Sequence, residues 1–313
     1  MKAAVRDFVV HGGDFDALAL ALFAWQRARN PAYARIAGDV VPRRVEDIPA
    51  VPVALFKELP LTCFPVEEAR VTFLTSGTTS GRRGAHRLRD TDLYDLAAPL
   101  HFHACVPRAP TRVHSLVSHD PDSSLGHMVA LFGEPGPLVG PVFLAATAFA
   151  LDAAFEADLR ADLDDDSVVM VTGGFKGRRV RLDSDALYRE IRGRLGTPRV
   201  VGEYGMTELS SQLWTDPVPA GEVPGPFLAP PWLAVYTVDP SSGEPCDREG
   251  LLRFVDLCNV ESVLAIETMD LGRVDGPWVT LKGRLEGAEA RGCSMRHEDL
   301  LASVRTSRSQ PRG

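Results

Sequence analysis

The residue types best suited to chemistry lie in Val71-Thr72-Phe73-Leu74-Thr75-Ser76-Gly77-Thr78-Thr79-Ser80-Gly81-Arg82-Arg83-Gly84. An apolar, β-type run ends there in hydroxyls and glycines, and positive charge follows. Glycine allows positive φ and close approach, so such a loop can aim backbone N–H groups and hydroxyls at one anion. Arg82 and Arg83 add forked cations that suit phosphate oxygens. Two better-known phosphate loops are excluded by spacing. No Lys-Ser/Thr pair follows Gly81, as a Walker loop requires, and no G-x-G-x-x-G pattern is present. Taken alone, the stretch is equally a Ser/Gly-rich surface turn after a strand.

Four further stretches keep it company. Val171-Thr172-Gly173-Gly174-Phe175-Lys176 puts paired glycines at the end of a strand, where α/β sheets hold ligands. Gly202-Glu203-Tyr204-Gly205-Met206-Thr207-Glu208 follows another strand. It offers an aromatic face for a base, a hydroxyl for a phosphate and a carboxylate for Mg²⁺, which prefers hard oxygen ligands. Thr268-Met269-Asp270-Leu271-Gly272-Arg273 reads as a turn whose carboxylate can accept from two ribose hydroxyls. Leu281-Lys282-Gly283-Arg284 supplies a cation just after a strand. Each has an ordinary alternative: Tyr204 as a core ring, Glu208 as a surface acid, Asp270 as a turn cap.

The elements that must position these residues alternate. Asp14 caps a helix with Leu18, Leu22 and Trp25 on one face, ending near Asn30-Pro31. Prolines 42, 49, 52, 60 and 65 then keep the chain in short turns around a packed centre at Ile48–Lys57. Asp90-Thr91 starts a helix to about Cys105, Val113–Ser118 reads as a strand, and Ser123-Ser124 starts another helix. The acids from Asp162 to Asp166 form a solvated loop before a buried strand at Ser167–Thr172. Asp183 or Ser184 caps a helix that Gly196 closes, and Pro198–Tyr204 is a strand. Beyond it come short strands at Leu233–Asp239, Leu251–Val255, Val263–Thr268 and Trp278–Lys282, an antiparallel or barrel-like pattern. The first two thirds therefore read as an α/β sheet.

Composition sets the outer bounds. The 313 residues, 45% hydrophobic and 24% charged, are enough for one large or two ordinary domains. A net charge of −8 argues against nucleic acid as partner, so an anionic ligand must be held by local cations. Cysteines 63, 105, 246, 258 and 293 show no C-x-x-C spacing, and a reducing, cytoplasmic setting is the expectation. No apolar run is long enough to span a bilayer. His101, His103 and Cys105 stand two apart, on differing helix faces, which argues against a metal site. His114, His119 and His127 are read as structural, with one as a candidate lining residue.

The order of Thr75–Gly81, Glu203–Glu208, the Asp270 stretch and Gly283-Arg284 resembles that of the adenylate-forming superfamily, which includes acyl-CoA synthetases, adenylation domains and luciferases. Within it the chain most resembles the acyl-protein synthetase of bacterial fatty acid reductase (the LuxE type), with phenylacetate-CoA ligases more distant. That likeness rests on the amino-terminal helix, on Ile48–Lys57, on Ser123-Ser124-Leu125-Gly126-His127-Met128 and on Gly287-Ala288-Glu289-Ala290-Arg291-Gly292-Cys293-Ser294.

The resemblance implies an α/β fold of layered αβαβα sheets with a small distorted β-barrel, the superfamily's amino-terminal domain. It implies an adenylation core over 1–283, with the barrel-like part at about 233–283, and 284–313 as a short remnant of a largely absent C-terminal domain with a frayed tail. ATP and Mg²⁺ are the implied cofactors. Thr75, Ser76, Gly77, Thr78, Thr79, Ser80, Gly81 and Arg82 would hold the β- and γ-phosphates. Gly173, Gly174, Glu203 and Tyr204 would enclose adenine, with Gly205 and Met206 beside it. Thr207 would touch the α-phosphate, Glu208 would hold Mg²⁺, and Asp270 and Arg284 would bind ribose. The implied reaction is a ligase one, activation of a carboxylic acid as acyl-adenylate and transfer to a thiol of a protein or of CoA.

Two departures from the family matter. Arginines stand where the loop commonly carries lysine. The family's catalytic lysine lies in the C-terminal domain, and here no lysine follows Lys282, the others being Lys2, Lys57 and Lys176. Cys293, between Arg291 and Arg296, matches the position of an acyl-accepting cysteine, since nearby cations favour the thiolate. Its alternative is a small buried hydrophobe. An acid–CoA ligase and a non-catalytic nucleotide- or acyl-binding scaffold remain as the other readings.

Overall fold

A computed structural model of the chain describes residues 1–75, 83–173 and 183–285. They fall into two units: Met1–Tyr94 with Thr207–Ser211 and the chain from Ala229 onward, and Asp95–Met206 with Gln212–Leu228.

In the second unit, apolar runs become parallel strands in the spatial order Glu134–Pro135, Arg112–Ser115, Phe143–Thr147, Val168–Thr172, Arg199–Tyr204. Side chains of a strand alternate between faces, so Leu144 and Ala146 join Leu187, Ile191 and Leu195 of one covering helix. Phe143 enters an aromatic group on Phe102, 5.0 Å away, which stacks on Phe132 at 4.0 Å and meets Trp214 at 5.0 Å. Burial on both faces explains why these strands read as continuous apolar runs. The helices Ser124–Ala130, Ala148–Glu156 and Ser184–Leu195 start where a side-chain oxygen can accept from the third helical N–H. Ser123, Thr147 and Asp183 do so at 3.0, 3.0 and 2.8 Å, each stabilising its helix by about 1 kcal/mol. Antiparallel strands Leu213–Thr215 and Phe227–Leu228 extend the sheet beyond Arg199–Tyr204. The acids 162–166 precede a wholly buried strand, as the sequence suggested.

The first unit carries an antiparallel sheet in the order Pro245–Cys246, Leu233–Val238, Gly250–Asp256, Ala265–Asp275, Trp278–Arg284. Val51–Pro52, within the proline-rich stretch, lies parallel to Ile266–Glu267. A separate hairpin pairs Val71–Leu74 with Ala85–Leu88. Three helices, Lys2–His11, Phe15–Arg27 and Pro31–Ala37, complete the unit. The helix begun at Asp14 ends at Arg27, close to the expected stop at Asn30-Pro31. The first correction is a further helix, not anticipated, directly after it. Asn30 caps a new helix, accepting from Tyr33 N at 3.0 Å, and Pro31 occupies the first position, where its missing N–H costs nothing.

A second correction concerns Asp270. The strand expected to end at Thr268 runs on to Asp275, so Asp270 lies within a strand and not in a turn, just before a register shift at Leu271/Gly272. Arg284 likewise closes its strand instead of following it. A third concerns His101 and Cys105, which are four residues apart and share a helix face, Sγ lying 3.7 Å from the ring nitrogens. Both are buried, and His101 Nε2 bonds Leu228 O at 3.0 Å, a packing arrangement. Among the described residues no group of metal-ligating side chains assembles, the cysteines are free, and no helix is long and apolar enough to cross a membrane.

Buried Gln26 ties the amino-terminal helices to the turn before Ala265–Asp275. Its Nε2 donates to Asn259 O and Val260 O at 2.7 and 3.0 Å, and its Oε1 accepts from Leu264 N at 2.9 Å. Replacing Gln26 by Leu leaves buried backbone groups without partners. The expected result is a loss of about 2–3 kcal/mol in urea unfolding, and a change below about 0.5 kcal/mol contradicts this role.

Candidate functional site

Within the first unit, Thr207–Ser211 is held from two sides. His86, on the hairpin strand, is buried and its Nδ1 lies 2.8 Å from Thr207 O. A carbonyl can only accept, so Nδ1 carries the proton and donates. Burial pushes the imidazole down to about 4, which keeps it neutral. Asn259 donates from Nδ2 to Glu208 O at 2.9 Å and accepts Ser210 N at 2.9 Å. Asp256 accepts Ser210 N at 3.0 Å, Ser211 Oγ at 2.8 Å and Cys258 N at 2.9 Å. The backbone on both sides of the Glu208 side chain is thereby fixed.

Glu208 itself is 8% exposed. Burial raises its carboxyl to about 7, opposed by its own backbone N–H and by the positive charges of Lys57 and Arg284. Asp270 and Arg284 are directly opposite one another on neighbouring strands, with Nε to Oδ1 at 3.7 Å. Arg284 is 60% exposed, so this ion pair adds little stability and leaves the guanidinium open to a ligand. Thr75 lies at the open end of the hairpin. Its N–H donates to Gly84 O at 2.9 Å and its Oγ1 accepts from Gly84 N at 2.8 Å. Arg83, read from sequence as a phosphate cation, turns back on the hairpin, donating to Thr75 O at 2.7 Å and Leu74 O at 3.1 Å.

The second unit presents Thr172 and Glu203 side by side, in register, at the carboxyl ends of two parallel strands. Thr172 Oγ1 donates to Glu203 Oε2, and burial raises the Glu203 carboxyl to about 7. Gly205 lies close beside it: a Cβ there would stand 2.5 Å from Glu203 Oε1, so the carboxylate would have to shift. Gly173 ends the Thr172 strand with φ +82°, a backbone form that suits glycine. Tyr204 is half-buried, its ring 6.1 Å from Phe227 at 61°. Met206 is also half-buried. The tyrosine is thus not the sealed core ring of its alternative reading.

Of the residues singled out in the sequence, Thr75, Thr207, Glu208, Asp270 and Arg284 belong to the first unit, and Gly173, Glu203, Tyr204, Gly205 and Met206 to the second. Ser76, Gly77, Thr78, Thr79, Ser80, Gly81, Arg82, Gly174 and Cys293 lie outside the described residues. Sequence reasoning passed over Lys57, His86, Asp256 and Asn259. Lys57 carried one signal, a lone charge closing the apolar run from Ile48; the other three act through backbone atoms that no motif reports.

No family model matches the sequence, and no curated protein does. Solved structures do. McyG A-PCP complexed with phenylalanyl-adenylate is 16% identical with a TM-score of 0.50, covering 71% of this chain and 42% of that one. The fold is that of the amino-terminal domain of adenylate-forming enzymes. ATP-bound MatB from Rhodopseudomonas palustris is similar at 18% identity and a TM-score of 0.49, over 71% of this chain and 49% of that one. The long-chain-fatty-acid-CoA ligase FadD1 from Archaeoglobus fulgidus stands at 14% and 0.49, over 75% and 55%. The chain spans about half the length of the structures it matches. In this adenylate-forming fold the strand ending at Tyr204 leads directly into Thr207 and Glu208, so one short segment carries an aromatic ring, a hydroxyl and a buried acid.

The raised Glu203 carboxyl has a consequence for stability. Its folded pKa lies above its unfolded one, so the folded chain holds the extra proton. Its contribution is full below the unfolded value and is lost as pH rises through about 7. Glu203→Gln keeps the shape without the charge. Thermal midpoints of the two proteins should diverge between pH 5 and pH 8, the wild type falling behind as pH rises; a constant difference contradicts the assignment.

Proposed function

We propose that this chain activates a carboxylic acid with ATP, as acyl-adenylate, and hands the acyl group to a thiol. The observation that carries the reading is Glu208: a buried acid on a clamped backbone, between the charges of Lys57 and Arg284, in an adenylate-forming fold. In that reaction a carboxylate oxygen bonds to the α-phosphorus, and pyrophosphate leaves with the electron pair of the broken P–O bond. A thiolate sulfur then bonds to the acyl carbon, and AMP leaves with the electron pair of the broken C–O bond. Little covalent work falls to the protein, so positioning and charge neutralisation carry the rate.

Tyr204 offers its face to adenine, with Gly173, Gly174, Glu203, Gly205 and Met206 around it. Glu203, whose carboxyl burial raises to about 7, can both donate and accept in its protonated form. Asp270 accepts from ribose hydroxyls and Arg284 supports it. Thr207 reaches the α-phosphate, and Thr75–Gly81 with Arg82 surround the outer phosphates. A carboxylate such as that of Glu208 suits Mg²⁺, which usually takes one or two carboxylates together with substrate phosphates and water. Glu208 would hold it, and the ion would supply neutralisation of phosphate charge. Lys57 and Arg284 favour the ionised form of Glu208 against the effect of burial. Cys293 is the proposed acyl acceptor before a partner protein, and a protein thiol is preferred to CoA on its Arg-Gly-Cys-Ser setting.

ATP–pyrophosphate exchange with Mg²⁺ and a panel of fatty and aromatic acids tests this directly. Exchange with one acid class is expected, and Glu208→Gln should lower it by about a hundredfold or more. Acyl label on the protein should disappear in Cys293→Ser; free acyl-CoA made in the presence of CoA would instead identify an acid–CoA ligase. Binding of AMP without exchange for any acid would sink the catalytic reading in favour of a nucleotide-binding scaffold.

A further inference from the structure

The net charge of −8 gives this chain no general attraction for a polyphosphate, so the cations that meet one must be local. Arg83 is engaged with the carbonyls of Leu74 and Thr75. Lys2 is tied to Asp90 and Asp92, and Lys282 projects from a strand into solvent. Lys57 is placed differently. It ends the short turn Val53–Lys57, whose Leu55 and Phe56 are buried, and Phe56 meets the His86 ring edge to face at 6.0 Å. That turn packs against both the strand Ala85–Leu88 and the strand Ala265–Asp275.

The half-buried Lys57 stem is therefore held at the open end of the hairpin. A Cβ added to Gly84 would lie 3.6 Å from Lys57 Cγ and 3.1 Å from Thr75 Cγ2, so lysine and threonine converge on the glycine that Thr75 pairs with. From there the ammonium also reaches the field of Glu208.

We infer that Lys57 is a phosphate-binding residue of this site, contacting the outer phosphates of a nucleoside triphosphate from the segment that precedes the Thr75 loop. Lysine serves such a role as a compact point charge with three donors, which suits an anion whose oxygens differ in position from one state to the next. The buried pair Leu55 and Phe56 fixes where the stem starts. The inference rests on the nucleotide reading above and adds a residue to it.

Calorimetric titration of the full chain with ATP and with AMP, both with Mg²⁺, separates the possibilities. Lys57→Met should weaken ATP by roughly tenfold or more and leave AMP within about twofold, because only ATP carries the outer phosphates. Lys57→Arg should recover part of the loss, and Lys282→Met, at an exposed position, should change neither. Equal weakening of ATP and AMP would show that Lys57 merely supports Glu208 and would overturn the inference, as would ATP binding unchanged in Lys57→Met. Failure of the wild type to bind either nucleotide would remove the nucleotide reading and this inference together, an outcome distinct from a defect or its absence in the variant alone.

Discussion

Two backbone carbonyls, those of Thr207 and Glu208, are where the candidate chemistry meets the fold. His86 donates to the first and Asn259 to the second. Neither contact has glamour by size, since a neutral hydrogen bond is worth about 1 kcal/mol net. Their value is geometric: they fix both ends of the peptide unit from which the Glu208 side chain departs. The clamp has its own support. Asn259 is held by the same turn that Gln26 anchors, and Asp256 of that turn takes Ser210 and Ser211. A helix near the amino terminus thus acts through a chain of buried polar groups on an acid far away in sequence.

Two buried acids of the first unit show how surroundings divide roles. Asp256 accepts several donors and titrates near 6, an acid whose lone pairs are already used by the fold. Burial raises the Glu208 carboxyl to about 7, and its own N–H with the charges of Lys57 and Arg284 opposes that rise. Burial costs the charged form several kcal/mol unless donors or cations replace water. Asp256 has those donors permanently. Glu208 lacks such a set of side-chain and neighbouring donors, which is why it, and not Asp256, is the proposed ligand for a cation.

The sequence was most informative where local chemistry and burial agree. Asp14, Ser123 and Asp183 cap the helices expected of them, and the acids at 162–166 lead into the buried strand at 168–172. It misled where a long-range partner decided the outcome. Asp270 looked like a turn residue, yet Trp278–Arg284 pairs with that segment and extends the strand past it. Asn30-Pro31 reads rightly as a stop, while the capping of a second helix by Asn30 goes unread. Within the candidate site, Tyr204, Thr207 and Glu208 were legible because they stand together in one short motif. His86 and Asn259 act on carbonyls, and any residue has a carbonyl. Their roles become visible only when strands far apart in sequence are brought together.

The central proposal is that Thr207 and Glu208, on a backbone clamped by His86 and Asn259, belong to a nucleotide site. Backbone hydrogen exchange of the full chain, with and without ATP and Mg²⁺, addresses it residue by residue. The account predicts slowed exchange over 203–211 and around Asp270 when nucleotide is added, with helix Phe15–Arg27 unchanged. Protection confined to other segments, or none at saturating nucleotide, would contradict it.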